Sequence, residues 1–306
     1  MIPTGDTVLP GCEDMVTPME FHLKGQRLGL DRPLLMGIVN VTPDSFFDGG
    51  RFCDPHRAVA HALRLVEEGA DLLDIGAEST RPGALPVDVQ EERRRLVPVV
   101  AAVAKAVSVP ISVDTSKSEV ARAAIDAGAI MVNDVTALRG DSTMVDVVAQ
   151  AGTGLVLMHM QGTPDTMQHA PRYDDVVGEV AQFLAERIRF AIDHGVAKDR
   201  IVVDPGIGFG KTLGHNLDLL ANLRVFTELG YPLLVGPSRK GFIGQLTDQS
   251  VEARGWGTAG VVALAVEQGA NILRVHDVGP MKDVAKVAVA IAIARRISAG
   301  VREQHA

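Results

Sequence analysis

Polar side chains close a succession of short apolar runs in this chain: Asn40, Asp74, Asp114, Asn133 with Asp134, His159, Asp204, the trio Ser238-Arg239-Lys240, and Arg274 with His276. Carboxylates brought to one place in a fold cost several kcal/mol in desolvation unless they are paired. A converging set of them therefore suits a ligand rich in hydrogen-bond donors. Taken singly, Asp114 reads equally as a cap for a helix opening after Thr115-Ser116. Taken with Asn133, Asp204 and Lys240 the cap reading weakens, because separate caps have no reason to converge. Arg274 and His276 stand two apart in an extended run and so face the same way. Arg offers a planar fork for phosphate, and the helix start at Gly279-Pro280 adds a further place for an anion. The competing reading for the pair is an inner salt bridge to Asp277 or a neighbouring carboxylate. His159, between Met158 and Met160, reads as a packed histidine rather than a metal ligand.

Asp204-Pro-Gly206-Ile-Gly208-Phe-Gly210-Lys211-Thr212 imitates two phosphate motifs and matches neither. A P-loop ending in Lys211-Thr212 needs glycine where Pro205 stands, and a dinucleotide fingerprint starting at Gly206 needs glycine where Lys211 stands. What remains is a loop that lets backbone approach a flat ligand, with Phe209 to cover it. No His/Cys cluster has zinc spacing, and no Gly-x-Ser-x-Gly elbow occurs.

These residues need elements to carry them. The apolar runs predict strands over 34–40, 72–76, 111–114, 130–134, 154–159, 201–204, 233–236 and 272–276. Amphipathic stretches predict helices near 55–68, 89–106, 117–127, 142–151, 174–195, 214–229, 255–268 and 280–297. Eight strands alternating with eight helices over roughly 265 residues predict an α/β chain folded as a single (β/α)8 TIM barrel. An open doubly wound sheet would carry a glycine-rich first turn, which Val41-Thr-Pro-Asp-Ser is not. Barrels of this kind place their sites on the loops at the C-terminal strand ends, where the polar residues lie. The loops from Val41 to Asp54 and from Ala77 to Val87 are long and glycine-bearing, which suits lids that exclude water. Residues 1–31 read as an N-terminal leader, with a hairpin through Phe21 and Arg27-Leu-Gly-Leu that caps the bottom of the barrel. The barrel spans 32–298 and a polar tail spans 299–306.

Composition narrows the partners. With a net charge of −8 over 306 residues and no long basic run, the chain is predicted to bind small molecules rather than nucleic acid or a membrane surface. No stretch approaches the roughly 18 apolar residues of a membrane span. Two cysteines, Cys12 and Cys53, make a disulfide framework unexpected and a reducing cytoplasm the default compartment.

Seven motifs in order resemble one family, the dihydropteroate synthases, pterin-binding barrels of folate biosynthesis. They are Met36-Gly-Ile-Val-Asn-Val-Thr-Pro-Asp-Ser-Phe46, Asp74-Ile-Gly-Ala-Glu-Ser-Thr-Arg-Pro-Gly83, Ile111-Ser-Val-Asp-Thr115, Val132-Asn-Asp-Val135, Asp204-Pro-Gly-Ile-Gly-Phe-Gly-Lys211, Ser238-Arg-Lys240 and Arg274-Val-His276. The resemblance implies condensation of 6-hydroxymethyl-7,8-dihydropterin diphosphate with p-aminobenzoate to 7,8-dihydropteroate and pyrophosphate, by a dissociative substitution. It implies that Asp114, Asn133, Val135, Asp204 and Lys240 hold the pterin, with Met158 and Phe209 lining its faces. Asn40, Arg274 and His276 would take the diphosphate, with Mg2+ between Asn40 and the phosphates. Phe46, Thr80, Arg81, Pro82 and Ser238 would build the aminobenzoate pocket, closed by Asp44. Catalysis would then rest on Asp44, Arg81, Lys240, Arg274 and His276.

The family commonly has a small serine where this chain has Phe47, which bears on loop closure and on sulfonamide mimicry unless Phe47 packs against the base of its own loop. Two alternative functions share the pterin contacts: a catalytically silent pterin-binding paralogue, and a pterin-barrel methyltransferase. The presence of Asn40, Arg81, Lys240 and Arg274 speaks against the first. The diphosphate pair Arg274 and His276, with the Arg81 loop, speaks against the second. The helix 284–294 and the run Gly260 to Val266 are apolar around most of their circumference, which predicts a homodimer through the last two barrel helices.

Overall fold

The structure is a computed structural model that describes residues 20–42, 55–81 and 83–303. Strands β1 (Glu20–Leu23) and β2 (Gln26–Gly29) form an antiparallel hairpin. Eight parallel strands follow: β3 (Leu34–Asn40), β4 (Leu72–Gly76), β5 (Ile111–Asp114), β6 (Met131–Asp134), β7 (Gly154–Met158), β8 (Ile201–Asp204), β9 (Leu234–Val235) and β10 (Ile272–Val275). They run β8-β7-β6-β5-β4-β3-β10-β9, and a bridge between Val203 and Leu233 joins β9 back to β8. The sheet is thereby closed into the predicted (β/α)8 barrel.

Side chains alternate across each strand, so one parity faces the barrel interior and the other faces the helices. The outward set, including Leu35, Val39, Leu73, Ile75, Val113, Val132, Leu155, Val203 and Leu273, packs with the helices in one continuous core. The inward set is layered. Leu34, Met36, Leu72, Met131, Val156, Val202, Leu234 and Ile272 form an apolar plug, sealed by Phe21 and Leu23 from the hairpin. On four of these strands the next inward residue is polar, Asp74, Asn133, Asp204 and Arg274, and β5 adds Ser112 and Asp114. That switch from apolar plug to polar mouth gives the barrel its direction. The hairpin is anchored from below, His22 Nδ1 lying 2.5 Å from Asp199 Oδ2.

The helices are α1 (Pro55–Glu67), α2 (Val89–Ala106), α3 (Ser118–Asp126), α4 (Met144–Ala151), α5 (Val176–Asp193), α6 (Leu213–Ala221), α7 (Arg224–Thr227), α8 (Gly241–Thr247), α9 (Gly255–Glu267) and α10 (Val278–Glu303). The single helix expected over 214–229 is two, because the backbone leaves helical geometry at Asn222. Helix α8 went unread: seven residues with two glycines carry too little periodicity to register. Helix α10 continues to Glu303, past the boundary expected at 298. Asp114 caps nothing. Lys117 occupies the cap position of α3, and Asp141 from the following loop accepts the Ser118 N–H at 2.9 Å.

Candidate functional site

The C-terminal strand ends surround a cavity of about 1260 Å³, lined among others by Asn40, Thr80, Arg81, Asp114, Phe209, Ser238, Lys240, Arg274 and His276. At its floor the charged groups hold one another. Arg274, from β10, places Nε 2.6 Å from Asp74 Oδ2 and Nη2 2.8 Å from Asp114 Oδ2. The Asn133 side chain donates to the same Asp74 oxygen at 2.9 Å. The inner salt bridge considered for Arg274 therefore exists, with Asp74 and Asp114 as partners. Asp277 faces elsewhere and pairs with Arg239 at 2.6 Å. Asp74 is wholly buried, and one oxygen each of Asp74 and Asp114 has no partner. Such orphaned acceptors are costly unless a donor reaches them.

Burial pushes the Asp114 carboxyl up to about 7, against the pull of Arg274. It also raises Asp204, although the Gly206 N–H donates to Asp204 Oδ1 at 2.7 Å. Burial, helped by Arg274, brings Lys240 down to about 8. Burial works against the charge of Arg274 as well, yet Asp74 and Asp114 more than offset it and its pKa is raised. The floor is thus a set of opposed charges sharing a low-dielectric space.

The glycine-rich loop after β8 forms one wall. Gly206, Gly208 and Gly210 all have positive φ. A Cβ on Gly206 would sit 1.9 Å from the His159 carbonyl oxygen, and one on Gly210 2.4 Å from that of Gln161, so these glycines let two loops touch backbone to backbone. Lys211, with which the sequence only imitates a P-loop, turns inward. Its buried Nζ lies 2.9 Å from both His159 Nδ1 and the Phe209 carbonyl oxygen, and burial lowers its pKa to about 7. His159 is a packed histidine, edge-on to Phe183. Phe209 belongs to an apolar group with Val135, Met158, Met160 and Met167. Its ring carries the Lys240 ammonium 3.9 Å from the centroid, so the face expected to cover a flat ligand is covered by a neighbour. Val135 and Met158 of this group, with Asn133 and Asp204, do not line the open cavity.

The opposite rim is looser. His276 Nδ1 lies 2.9 Å from Ser238 Oγ, which also takes the His276 N–H. Burial, followed by the charge of Arg274, lowers His276 to about 3, leaving a neutral ring. The N–H of Gly279, expected at an anion-binding helix start, is taken by Glu68 instead. Thr80 is half-buried and Arg81 exposed. Their loop is less free than a lid: Glu78 accepts the Val87 N–H at 2.7 Å, and the Gly83 N–H reaches the Pro164 carbonyl at 3.1 Å. Asp44, Phe46, Phe47 and Pro82 lie outside the described residues. Asn40 is half-buried at the end of β3, and among the described residues no three His, Cys, Asp or Glu side chains group as a metal cage.

Two participants carry no sequence signal, Lys211 and Glu78. Asp74, at a strand end, is placed inside with Leu72 by strand parity, and Lys211 belongs to a loop that matches no phosphate motif. The partners of Glu78 are the Val87 N–H of its own loop and Lys117 beyond β5, and no local pattern announces them.

Comparison with known proteins follows the same lines. The pterin binding enzyme family matches residues 36–276. The dihydropteroate synthase of Escherichia coli is 47% identical over 260 residues, 85% of this chain and 92% of that protein. The structure of Xanthomonas albilineans dihydropteroate synthase with 4-aminobenzoic acid superposes with a TM-score of 0.85 at 51% identity, covering 90% of this chain and 98% of the other. The same enzyme in complex with 7,8-dihydropteroate gives 0.81 at 49% identity, covering 89% and 98%.

Proposed function

This chain belongs to the pterin binding enzyme family and, within it, to the dihydropteroate synthases, and from that premise we infer how its residues divide the work. It is a transferase that joins 6-hydroxymethyl-7,8-dihydropterin diphosphate to p-aminobenzoate, releasing pyrophosphate. Asp114, Asn133, Asp204 and Lys240 hold the pterin. The amino group and ring N–H of a pterin are donors that match the orphaned oxygen of Asp114 and the carboxylate of Asp204, and its carbonyl matches Lys240. A site so equipped rejects rings lacking those groups, since its own polar atoms would be left unpaired. Phe209, Met158 and Val135 supply the apolar contact.

The diphosphate is assigned to Asn40, Arg274 and His276. For Arg274 this means exchanging a carboxylate partner for phosphate oxygens. Neutral His276, steadied by Ser238, offers a ring N–H. The electron-rich dihydropterin spreads the positive charge that develops as the C–O bond breaks, so the substitution is dissociative and needs no covalent enzyme intermediate. What the side chains contribute is neutralisation of the leaving group and alignment of the aniline nitrogen. Thr80, Arg81 and Ser238 border the aminobenzoate, with Phe46, Pro82 and Asp44 assigned to the same subsite.

One neutral amide oxygen and, among the described residues, no carboxylate cage fit a cation that keeps most of its water, which is the habit of Mg2+. Asn40 is the protein ligand proposed for it. When bound with the diphosphate, Mg2+ supplies charge neutralisation on the leaving oxygens. We also propose a homodimer through α9 and α10, whose outer faces leave Leu264, Val287 and Ile291 exposed at 41%, 61% and 50%. A monomeric mass in light scattering at micromolar concentration refutes it. The compartment proposed is the cytoplasm.

The observation that carries the assignment of roles is the meeting of Asp114, Asn133, Asp204 and Lys240 with Arg274 at one barrel mouth. The test is incubation with Mg2+, p-aminobenzoate and the dihydropterin diphosphate, following pyrophosphate and dihydropteroate together. Product from the parent, lost in both Lys240→Ala and Arg274→Ala, supports the assignment. A fully active Lys240→Ala variant defeats it.

A further inference from the structure

We propose that Glu78, Lys117 and Glu92 form an ionic clasp that positions the loop after β4 for the amine substrate; this rests on the aminobenzoate subsite proposed above. Lys117, between β5 and α3, places Nζ 2.6 Å from Glu78 Oε2 and 2.5 Å from Glu92 Oε2. The second oxygen of Glu92 accepts the Thr115 hydroxyl at 2.7 Å. The second oxygen of Glu78 accepts the Val87 N–H at 2.7 Å. Every carboxylate oxygen of the group therefore has a donor. Through Glu78 the chain is tied across its own loop, from residue 78 to residue 87, and Thr80 and Arg81 lie inside that span. Arg95 of α2 reaches the Ala77 carbonyl at 3.4 Å, holding the start of the same loop.

Stability alone does not account for this group. Glu92 is fully buried and stands on α2 in line with Leu96, Val99 and Val103, a stripe that elsewhere on the helix is apolar. An apolar side chain there would pack on the core without desolvating a charge, and buried ion pairs replaced by apolar residues are often neutral or stabilising. What an apolar residue cannot do is fix Lys117 in place and, through it, Glu78. The ammonium joins three separate pieces: a barrel helix, the end of β5, and a loop whose Glu78, Thr80 and Arg81 line the cavity. None of the three clasp residues hydrogen-bonds to Asp74, Asp114, Asp204, Lys240 or Arg274, although the Glu92 charge adds to the forces that raise Asp114. Their main effect is expected on the second substrate.

The test uses the full chain and two variants. Lys117→Met leaves Glu92 buried and unpaired, so it is accompanied by the double variant Lys117→Met/Glu92→Leu, which removes both charges and is expected to melt at or above the parent temperature. In the double variant the KM for p-aminobenzoate rises roughly tenfold and the KM for the dihydropterin diphosphate stays within about twofold, the pattern of a displaced positioning loop. Lys117→Arg restores much of the loss. Hydrogen exchange of the amides from 78 to 87 quickens in the double variant and not elsewhere. A folded double variant with both KM values unchanged overturns the proposal, as does an equal rise in both. Should the parent form no dihydropteroate, the functional reading has failed, and the clasp is then judged by exchange: equal protection of Val87 in parent and double variant overturns it.

Discussion

The two sides of the barrel mouth solve the problem of an empty site differently. On the pterin side, charged groups from four strand ends and one loop are buried or half-buried and hold one another: Arg274 with Asp74 and Asp114, Lys240 on the Phe209 ring. On the amine side, Thr80 and Arg81 face the cavity from a loop held through its neighbours Glu78 and Gly83. Under the proposed assignment the first arrangement makes binding partly an exchange, in which phosphate oxygens replace a carboxylate partner of Arg274 while a pterin N–H reaches the unpaired Asp114 oxygen. The second makes it an addition to a surface. Specificity is expected to follow the first, because a wrong ring would break internal pairs without replacing them.

The strongest challenge to this contrast is Asp114→Ala. It leaves Arg274 with one partner and the pterin without its acceptor, and kcat/KM for the dihydropterin diphosphate should fall about a thousandfold or more. A fall of less than tenfold, in a variant that still folds, would falsify the assignment. Next in size is pH dependence. Asp114 must be ionised to accept pterin N–H groups and Lys240 protonated to donate. With the two displaced to about 7 and about 8, titration with a pterin lacking the diphosphate should give tightest binding between those values and weaken on both sides. Asp114→Asn should remove the acid limb.

Linkage predicts the same groups in the unliganded protein. The raised Asp114 keeps its proton in the folded chain after the unfolded chain has lost it, so stability falls as pH rises from about 4 to about 7. Lys211 and Lys240 are lowered, so the folded chain sheds their protons first and stability recovers from about 7 towards about 10. Lowered His276 and His159 oppose the first slope, because the unfolded chain binds protons there that the folded chain does not. The test is therefore the difference between the melting profiles of parent and Asp114→Asn, and an unchanged slope on the acid side of neutrality contradicts the picture of a charged floor. On the amine side the effects are smaller: Arg81→Met should raise the aminobenzoate KM about tenfold and leave pterin binding alone. The smallest effect on turnover belongs to Phe21→Ala, which should remove about 3–5 kcal/mol of stability while kcat at low temperature stays near that of the parent.

Much of this was legible from residue type and spacing. Strand parity separates the apolar plug from the polar mouth, and it places Asn133 inward while Asp134 turns outward to accept the Thr136 and Leu138 N–H groups. What could not be read is the choice of partners among charges that meet only in three dimensions. Arg274 and Asp74 are two hundred positions apart, and no local pattern favours that pairing over phosphate. The clasp on Glu92 is hidden for the same reason: within α2 a lone glutamate on an apolar stripe looks like an irregularity. Helices α7 and α8 are too short for a period to emerge.

The hairpin that seals the plug also decides traffic. With Phe21 and Leu23 closing the far end, both substrates and both products share one doorway, and the pterin seat is the deeper of the two. Whichever molecule occupies the rim blocks the floor. With the seats as proposed, pterin diphosphate is expected to arrive before the amine, and an amine that settles first to act as a plug that must leave again. Crowding the mouth with aminobenzoate at limiting pterin diphosphate should slow turnover rather than speed it.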